Sequence, residues 1–373
     1  MTSGQRETPL ARKLKASIRD EGPIGVDAYM AACLQDPEHG YYRRMPAIGV
    51  GGDFVTAPEI SQVFGELIGL WCAVVWQQMG SPSRLDLVEL GPGRGTMMRD
   101  VLRAARVVAP FLDAVTVHLV DDNETLRDVQ REALAASNVS LHFHREAAEA
   151  LSGDSRAANG ATIVIANEFL DALPVAQFVF ADGRWRERHV GLDADDGALC
   201  FCSDLDGSEA PETLSASRAP QEGDVLEVCD AHGRLASALG ARAAVCPLAA
   251  LFIDYGHGAT GFGDTLQRVQ GQAHVSPFHA PGETDLSAQV DFQHFARACQ
   301  TQGLAADGPV PQAHFLGQLG IVERASRLMA RNPDKAGAVE AGVQRIMSPV
   351  GMGSRFLAIG LRSTGLPPLP GFQ

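Results

Sequence analysis

The sequence predicts an α/β fold with a doubly wound parallel sheet, a helical extension before the sheet and an antiparallel β insertion within it. From Leu85 onward, apolar runs typical of buried strands alternate with stretches of helical periodicity. The residues before Leu85 show helical patterns instead. From Gln177 the chain changes to short alternating runs joined by Asp-Gly turns. We therefore expect a helical extension over residues 1–80, a sheet domain over 81–176 and 245–373, and a β-rich insertion over 177–244.

The helical patterns of the extension cover residues 9–22, 26–34 and 61–79. Between the last two lies the segment 49–58, which is rich in glycine but does not follow an apolar strand. We therefore predict a loop there rather than a nucleotide-binding turn. The segment is unusually polar for one that leads into a buried helix, so we take Thr56 as a candidate for contact with a ligand.

The chain is organised around a strand, a glycine turn and a helix. The apolar run 85–90 ends in Gly91-Pro92-Gly93-Arg94-Gly95, and helical periodicity begins at Thr96. Glycines let a backbone approach a ligand closely, and the N–H groups at the start of the helix face the space beyond the strand. The alternative interpretation is an ordinary tight turn.

The spacing of this turn distinguishes between ligands. A dinucleotide motif reads G-x-G-x-x-G, but Thr96 occupies its sixth position. Glu89 would repel a pyrophosphate, whereas it could hold the ammonium group of an amino-acid-like ligand. The string acid-x-G-x-G-x-G is the first motif of S-adenosylmethionine-dependent methyltransferases. The cofactor-binding candidates in it are Glu89, Gly91, Pro92, Gly93 and Gly95.

A second apolar run, 115–120, ends at Asp121-Asp122, and Asp121 lies 121 − 91 = 30 residues beyond Gly91. This is about the length of one βαβ unit. An acid at this strand end can accept hydrogen bonds from both ribose hydroxyls. We choose Asp121 because it directly follows the run. The alternative, that these acids start the next helix, fits Asp122 and its successors better.

The remaining elements are predicted from the same two signals, apolar runs for buried strands and helical periodicity for helices. Further strands are expected at 139–144, 161–168, 249–255 and 355–362, and further helices at 96–108, 124–136, 146–151, 232–242, 290–300 and 321–347, with 203–223 and 261–280 as loops.

Polar residues also follow the strand 161–168, in the segment Asn167-Glu168-Phe169-Leu170-Asp171. Because ligands of such sheets lie beyond the carboxyl ends of the strands, Asn167 and Glu168 should face the cofactor of the first strand. Glu168 and Asp171 could also hold a substrate nitrogen, and with arginine they could form bidentate bonds to the guanidinium. We therefore take both as catalytic candidates. Alternatively, they cap a short helix.

His257 follows the strand 249–255 at the same edge of the sheet. It is a third catalytic candidate, either as a general base or merely as a cap of the turn. The other histidines are too dispersed to indicate a metal site, and we predict none. Seven cysteines without a C-x-x-C pair predict reduced thiols.

Composition restricts the partners. The formal charge is −14 and no basic stripe is visible, which argues against nucleic acid as a partner but suits a basic protein or peptide. No stretch of 18 apolar residues predicts a membrane span. Four basic residues precede Ser17, but Glu7 and an early helix favour a bacterial cytoplasmic protein over a mitochondrial presequence.

Several segments together resemble one known family, the MidA-like methyltransferases, which include the mitochondrial complex I assembly-factor protein arginine methyltransferase. The matching segments are GDFVTAPEIS from Gly52, VELGPGRGTMMRDVLR, HLVDDNETL, ANEFLDALPV, IDYGH, APGETDLSAQVDF and QAHFLGQLGI. They follow in order over nearly the entire chain. The resemblance implies a class I methyltransferase (Rossmann-like) fold, S-adenosylmethionine as cofactor, and arginine on a protein as acceptor, with a subunit of respiratory complex I as the substrate of the mitochondrial member.

Two departures bear on this resemblance. Asp121 stands where the family commonly carries Glu, and the glutamate pair of the better-known arginine methyltransferases is not recognisable. Three alternatives stay open: a small-molecule methyltransferase, an assembly chaperone of a respiratory complex with little turnover, and an NAD-dependent oxidoreductase, which Thr96 disfavours.

Overall fold

A computed structural model describes residues 7–43, 55–152, 160–203, 218–270 and 273–373, with the backbone alone at 269, 270, 273 and 274. Most of the predicted loops 49–58 and 203–223 lies outside the described residues. The described helices are α1 (Pro9–Glu21), α2 (Val26–Gln35), α3 (Ala57–Ile60), α4 (Gln62–Gln78), α5 (Thr96–Ala105), α6 (Ala109–Ala114), α7 (Glu124–Leu134), α8 (Ala147–Leu151), α9 (Asp230–Ala243), α10 (Phe292–Thr301), α11 (Gln312–Gln318), α12 (Ile321–Arg331) and α13 (Ala336–Met347).

The described strands are β1 (Ile24–Gly25), β2 (Arg84–Leu90), β3 (Val115–Val120), β4 (Ser140–His144), β5 (Gly160–Asn167), β6 (Ala176–Ala181), β7 (Arg184–Leu192), β8 (Leu199–Ser203), β9 (Val225–Val228), β10 (Leu248–His257), β11 (Gln267–Gln270), β12 (Ala273–Val275), β13 (Leu286–Ser287), β14 (Val290–Asp291), β15 (Leu304–Pro311) and β16 (Phe356–Ser363). None of the helices in these ranges is long and apolar enough to cross a bilayer.

The main sheet has the strand order β15-β16-β10-β5-β2-β3-β4. The strands from β10 to β4 are parallel, with Glu89 of β2 level with Leu119 of β3 and Ile165 of β5. Chain order reverses between β2 and β5, because β3 and β4 lie on one side of β2 while β5 and β10 lie on the other. In an open α/β sheet this reversal point forms the ligand crevice.

Helices cover both faces of the main sheet, as a doubly wound fold requires. One face packs apolar residues of α4 and α5 against inward-facing residues of β2 and β3 such as Leu87 and Val117. The other face packs α9 and α10 against residues of β2 and β5 such as Val88 and Val164. Because both faces are buried, the central strands are apolar almost throughout, which is why they were visible in the sequence.

A separate antiparallel sheet follows the order β1-β7-β6-β9, with β8 also paired to β7. β1 joins the amino-terminal segment to this sheet through the pair Ile24 and Val190. Helices α1 and α2 share an apolar cluster with this sheet, whereas α4 packs under the main sheet. α9, inside the expected insertion, packs on the main sheet. The proposed division into three units stays a prediction.

Four predicted elements need correction. The main sheet is not parallel throughout, because β16 runs antiparallel to β10 and β15 runs antiparallel to β16. The expected helix 321–347 is two helices separated at 332–335, where Pro333 interrupts it. The expected helix 290–300 begins only at Phe292, after β14. The expected loop 261–280 contains β11 and β12, which pair with each other.

Candidate active site

A cavity of about 690 Å³ opens beyond the carboxyl ends of β2, β3 and β5. Its wall includes the glycine turn after β2, the acids after β3 and the polar segment after β5. The amino-terminal segment contributes Tyr41, Tyr42 and Arg43, and the segment before β13 contributes Asp285. The predicted strand-end residues are therefore brought together at the reversal point of the sheet.

The glycine turn adopts a backbone that requires glycine. Gly91, Gly93 and Gly95 have φ values of +66°, +50° and +76°, in the left-handed region that side chains disfavour. A Cβ on Gly91 would lie 3.0 Å from the ring of Phe169. The turn is closed by a hydrogen bond of 2.8 Å from the Gly95 N–H to the Pro92 carbonyl, and α5 begins directly after it. The backbone can therefore approach a ligand in the cavity closely.

Glu89 lies at the base of this turn. It lines the cavity, yet only 1% of the residue is exposed and its Oε2 has no hydrogen-bond partner. Burial, with a smaller contribution from Asp121, raises the pKa of Glu89 to about 8. A buried carboxylate without a donor is costly, so a cationic donor from a bound molecule would stabilise the charged form of Glu89.

The two acids after β3 face different partners. Asp121 Oδ1 accepts a hydrogen bond of 2.9 Å from the Asn123 N–H, and its Oδ2 accepts one of 3.1 Å from Gln130. Burial raises the pKa of Asp121 to about 6. Asp122 is bound instead by Arg43, whose guanidinium donates to its Oδ2 at 2.8 Å and to its carbonyl at 2.7 Å. Asn123, rather than either acid, caps α7.

Glu168 begins the polar segment after β5 in a strained conformation, with φ of +54°. Its Oε1 accepts hydrogen bonds of 3.0 Å from the Ala57 N–H and 2.9 Å from the Asn167 amide, while its Oε2 is buried without a partner. Burial raises the pKa of Glu168 to about 7. The amide oxygen of Asn167 is likewise buried without a partner, and both residues line the cavity.

Asp254 of β10 holds this segment in place. Its Oδ2 accepts hydrogen bonds from three consecutive N–H groups, those of residues 169, 170 and 171, at 2.8 to 3.2 Å. Burial and the nearby Glu168 raise the pKa of Asp254 to about 7. This role of Asp254 is not predictable from the sequence, because a polar residue at a strand end gives no sign of which backbone it binds.

Further acids gather at the same end of the cavity. Asp171 is buried and lines the cavity, and its pKa is raised by burial and by Asp254, Asp285 and Glu168. The Tyr42 hydroxyl donates to Asp285 Oδ1 at 3.4 Å. Sequence reasoning missed Tyr42 and Asp285 as site residues, since neither follows a strand of the main sheet and both lie in segments without periodicity. Asp285 lies in APGETDLSAQVDF, one of the segments that resemble the family, and this membership is the one sequence feature that could mark it as a site residue.

The structure brings most of the predicted residues to one cavity. Thr56, Pro92, Asn167 and Glu168 line it together with Glu89, Gly91, Gly93 and Asp121, and Gly95 starts the adjoining helix. His257 is not among the lining residues, and its Nδ1 lies 2.8 Å from the Ala259 carbonyl. This position favours the interpretation that His257 caps a turn. In the described part of the chain no group of three His, Cys, Asp or Glu side chains suits a metal ion.

The site suits a ligand with an adenosine half and a cationic amino-acid half. The glycine turn leaves room for close contact, Asp121 offers carboxylate oxygens for hydroxyl donors, and the buried Glu89 carboxyl suits a cationic donor. These features fit S-adenosylmethionine and do not fit a pyrophosphate, which Glu89 would repel.

Comparison with known proteins agrees with this interpretation. A family model described as "Putative S-adenosyl-L-methionine-dependent methyltransferase" matches residues 67–310. The Mus musculus protein named "Protein arginine methyltransferase NDUFAF7, mitochondrial" is 36% identical over 371 residues, covering 94% of this chain and 83% of its own. The Danio rerio protein of that name is 34% identical over 366 residues, with coverages of 93% and 85%.

A solved structure is similar over almost the entire chain. It is a Burkholderia thailandensis protein bound to S-adenosyl-homocysteine, with a TM-score of 0.81, 27% identity, and coverage of 99% of this chain and 97% of that one. The fold and the site thus define an S-adenosylmethionine-dependent methyltransferase with a class I fold. The chain belongs to the family that contains the NDUFAF7 and MidA-like methyltransferases.

Proposed function

We propose that this enzyme transfers a methyl group to an arginine side chain of a protein. The observation that supports the proposal most directly is the acidic acceptor end of the cavity. Glu168 and Asp171 are buried there, and among the described residues neither is hydrogen-bonded to an arginine or lysine. Carboxylates in such a setting favour a cationic ligand with several N–H donors, as a guanidinium is. The names of the relatives agree with this acceptor.

The cofactor half of the site is assigned residue by residue. Glu89 would hold the ammonium group and Asp121 the ribose hydroxyls, while Gly91, Pro92 and Gly93 would form the backbone surface beneath the ligand and Gly95, outside the lining, would shape the turn. Thr56 also lines the cavity and would contact the cofactor. When bound, S-adenosylmethionine supplies an electrophilic methyl group on a sulfonium, whose C–S bond breaks with the electron pair remaining on sulfur.

The residues of the chain have three tasks in the reaction. Glu168 and Asp171 orient the planar guanidinium so that one nitrogen points toward the methyl donor, and this orientation supplies most of the catalysis. The nitrogen forms a new N–C bond and loses one proton, which the Glu168 carboxylate can accept because burial holds its pKa at about 7. The buried wall excludes water from the reacting atoms.

The family resemblance and the charge of the chain bear on the acceptor protein. A subunit of a respiratory complex is the candidate that the family resemblance suggests, and the negative charge of the chain favours a basic segment around the target arginine. We further propose the bacterial cytoplasm as the place of action.

The test is transfer of a radiolabelled methyl group from S-adenosylmethionine into cell extract, followed by separation by molecular weight and hydrolysis to amino acids. We expect label in protein and in methylarginine. Label only in small molecules would indicate the small-molecule alternative. Binding of S-adenosyl-homocysteine by calorimetry without transfer to any fraction would favour the chaperone alternative.

A further inference from the structure

The acceptor end of the cavity contains two side chains to which neither the sequence motifs nor the proposed reaction assigns a task. These are Tyr42, which follows α2, and Asp285, which precedes β13. We propose that Tyr42 and Asp285 determine acceptor specificity, binding the guanidinium together with Asp171. The inference rests on the proposed function and adds two specificity-determining residues to it.

Tyr42 is held over the cavity from two sides. The Arg43 guanidinium next to it is bound to Asp122, and the Asn123 amide donates a hydrogen bond to the Tyr42 carbonyl. The Tyr42 hydroxyl reaches Asp285 at 3.4 Å. The ring is thereby fixed against the acidic end of the cavity, where an aromatic face attracts a cation, and arginine in particular stacks on such a face.

Asp285 is tied to Asp171 through the backbone. The Asp285 carboxylate accepts a hydrogen bond from the Leu286 N–H at 3.0 Å, and three residues after Asp285 the Ala288 N–H donates to the Asp171 carbonyl at 3.1 Å. The Tyr255 hydroxyl is hydrogen-bonded to Ser287 in the same segment. These contacts fix the two carboxylates relative to each other, although they lie more than a hundred residues apart in the chain.

Asn167 supplies an independent observation that a donor-rich ligand enters this end. The residue is only 7% exposed, it lines the cavity, and its amide oxygen has no hydrogen-bond partner. Its amide nitrogen donates to Glu168, so the oxygen is the atom that can accept an N–H group from a bound molecule. A guanidinium has five such donors in a fixed plane and can serve Asn167, Asp171 and Asp285 together, whereas a lysine ammonium has three on a single nitrogen.

The electrostatics of the cluster agree with this geometry. The pKa of Asp171 is raised by burial and by the carboxylates of Asp254, Asp285 and Glu168. Like charges that crowd in this way are relieved when a cation binds between them. The amino-terminal segment is therefore part of the acceptor site, in addition to any contribution it makes to folding.

The test compares Asp285→Asn, Tyr42→Phe and Tyr42→Ala with the parent enzyme on two peptide libraries, one with a fixed central arginine and one with a fixed central lysine. We expect the parent to methylate the arginine library alone. Asp285→Asn should lower kcat/KM for that library by about 10- to 100-fold, because one charge-assisted interaction is lost. Tyr42→Phe keeps the ring and should lower it by only about threefold, and Tyr42→Ala by about tenfold.

Binding is measured separately, as fluorescence anisotropy of the labelled arginine library with protein saturated in S-adenosyl-homocysteine. The peptide Kd should rise in parallel with the loss of kcat/KM, while the Kd of S-adenosyl-homocysteine stays within about twofold. Glu283→Gln is the matched control for Asp285→Asn, because it also removes one carboxylate charge. Glu283 is exposed, lies two residues before Asp285 and is not among the residues that line the cavity.

The outcomes separate the two proposals. If the parent methylates neither library nor any protein in extract, the proposed function fails. If the parent methylates arginine but Asp285→Asn and Tyr42→Ala bind and methylate the library as the parent does, the assignment of these two residues is wrong while the function stands. Equal losses in Glu283→Gln would likewise overturn the assignment.

Discussion

Replacing Glu89 by glutamine should change both cofactor binding and the pH dependence of stability. The Glu89 side chain is buried, and its pKa is about 8 against an ordinary value of 4.5. A carboxyl whose pKa is raised by folding contributes stability below its unfolded pKa and loses that contribution as pH rises through the folded pKa. The ligand-free enzyme should therefore become less stable as the pH rises from 4.5 toward 8.

The magnitude follows from the shift. The full difference, 8 − 4.5 = 3.5 pKa units, corresponds to at most about 5 kcal/mol at high pH. Between pH 6 and pH 7.5 the unfolded carboxyl is ionised while the folded one keeps its proton, so this residue costs about 2 kcal/mol over that interval. Glutamine cannot ionise. Glu89→Gln should therefore lose about 2 kcal/mol less stability than the parent between these two pH values.

The assay is urea unfolding of the ligand-free parent and variant at pH 6 and pH 7.5. The other buried acids titrate in both proteins. The difference between parent and variant in the change of unfolding free energy from pH 6 to pH 7.5 therefore reports on Glu89 alone. Binding of S-adenosyl-homocysteine at pH 7.5, measured by calorimetry, should weaken by about 10- to 100-fold in Glu89→Gln, because glutamine cannot form a charge-assisted bond to an ammonium. Glu132→Gln, an exposed acid of α7, is the control for charge alone.

Two results would contradict this reasoning. Parallel changes in stability of parent and variant from pH 6 to pH 7.5 would mean that Glu89 is already ionised in the folded protein. Unchanged affinity for S-adenosyl-homocysteine would mean that the ammonium group lies against another residue.

Three further predictions concern neighbouring parts of the cavity. Asp121→Ala should weaken S-adenosyl-homocysteine binding by roughly 1–3 kcal/mol, because the contact with the ribose is lost. If calorimetry shows that the variant binds as tightly as the parent, another residue must bind the ribose. Asp254→Ala leaves three N–H groups without an acceptor and should lower the free energy of unfolding by about 2–5 kcal/mol. A loss below about 1 kcal/mol in urea unfolding would mean that Asp254 does not hold the backbone of residues 169–171 in place. Arg43→Met should cost no more than about 1 kcal/mol of stability, since Asp122 is partly exposed. Because Arg43 lines the cavity and binds Asp122, its loss should speed dissociation of S-adenosyl-homocysteine in stopped flow, and an unchanged rate would mean that Arg43 does not help to retain the ligand.

The predictable part of this molecule is the part whose signals are local. The run before Gly91 is apolar because β2 is buried on both faces, and the glycines are needed for a left-handed turn, so strand, turn and helix could be identified from a few adjacent residues. Asp121 and Glu168 were found by the same rule, since parallel strands place their carboxyl ends at one edge.

The parts that could not be predicted depend on contacts between distant segments. β15 contains Gly308-Pro309, which indicates a turn, and it becomes a strand only because β16 offers it a partner. Asp254 has its effect through three N–H groups more than eighty residues earlier in the chain. Tyr42 and Asp285 meet only because the amino-terminal segment contributes to the wall of the cavity. Neither periodicity nor turn chemistry carries such information.

The acidic lining of the cavity also favours release of the products once the methyl group has been transferred. Glu89 and Glu168 are buried with pKa values of about 8 and 7, and a cation that binds against either carboxylate stabilises its charged form. In the proposed reaction, the methyl donor and a guanidinium acceptor each bring positive charge to these carboxylates before transfer. After transfer the sulfonium has become a neutral thioether, while the acceptor keeps its charge once one proton has left. The cavity therefore holds the reactants through one more positive charge than the products, and the electrostatics that favour assembly of the ternary complex weaken when the reaction is complete.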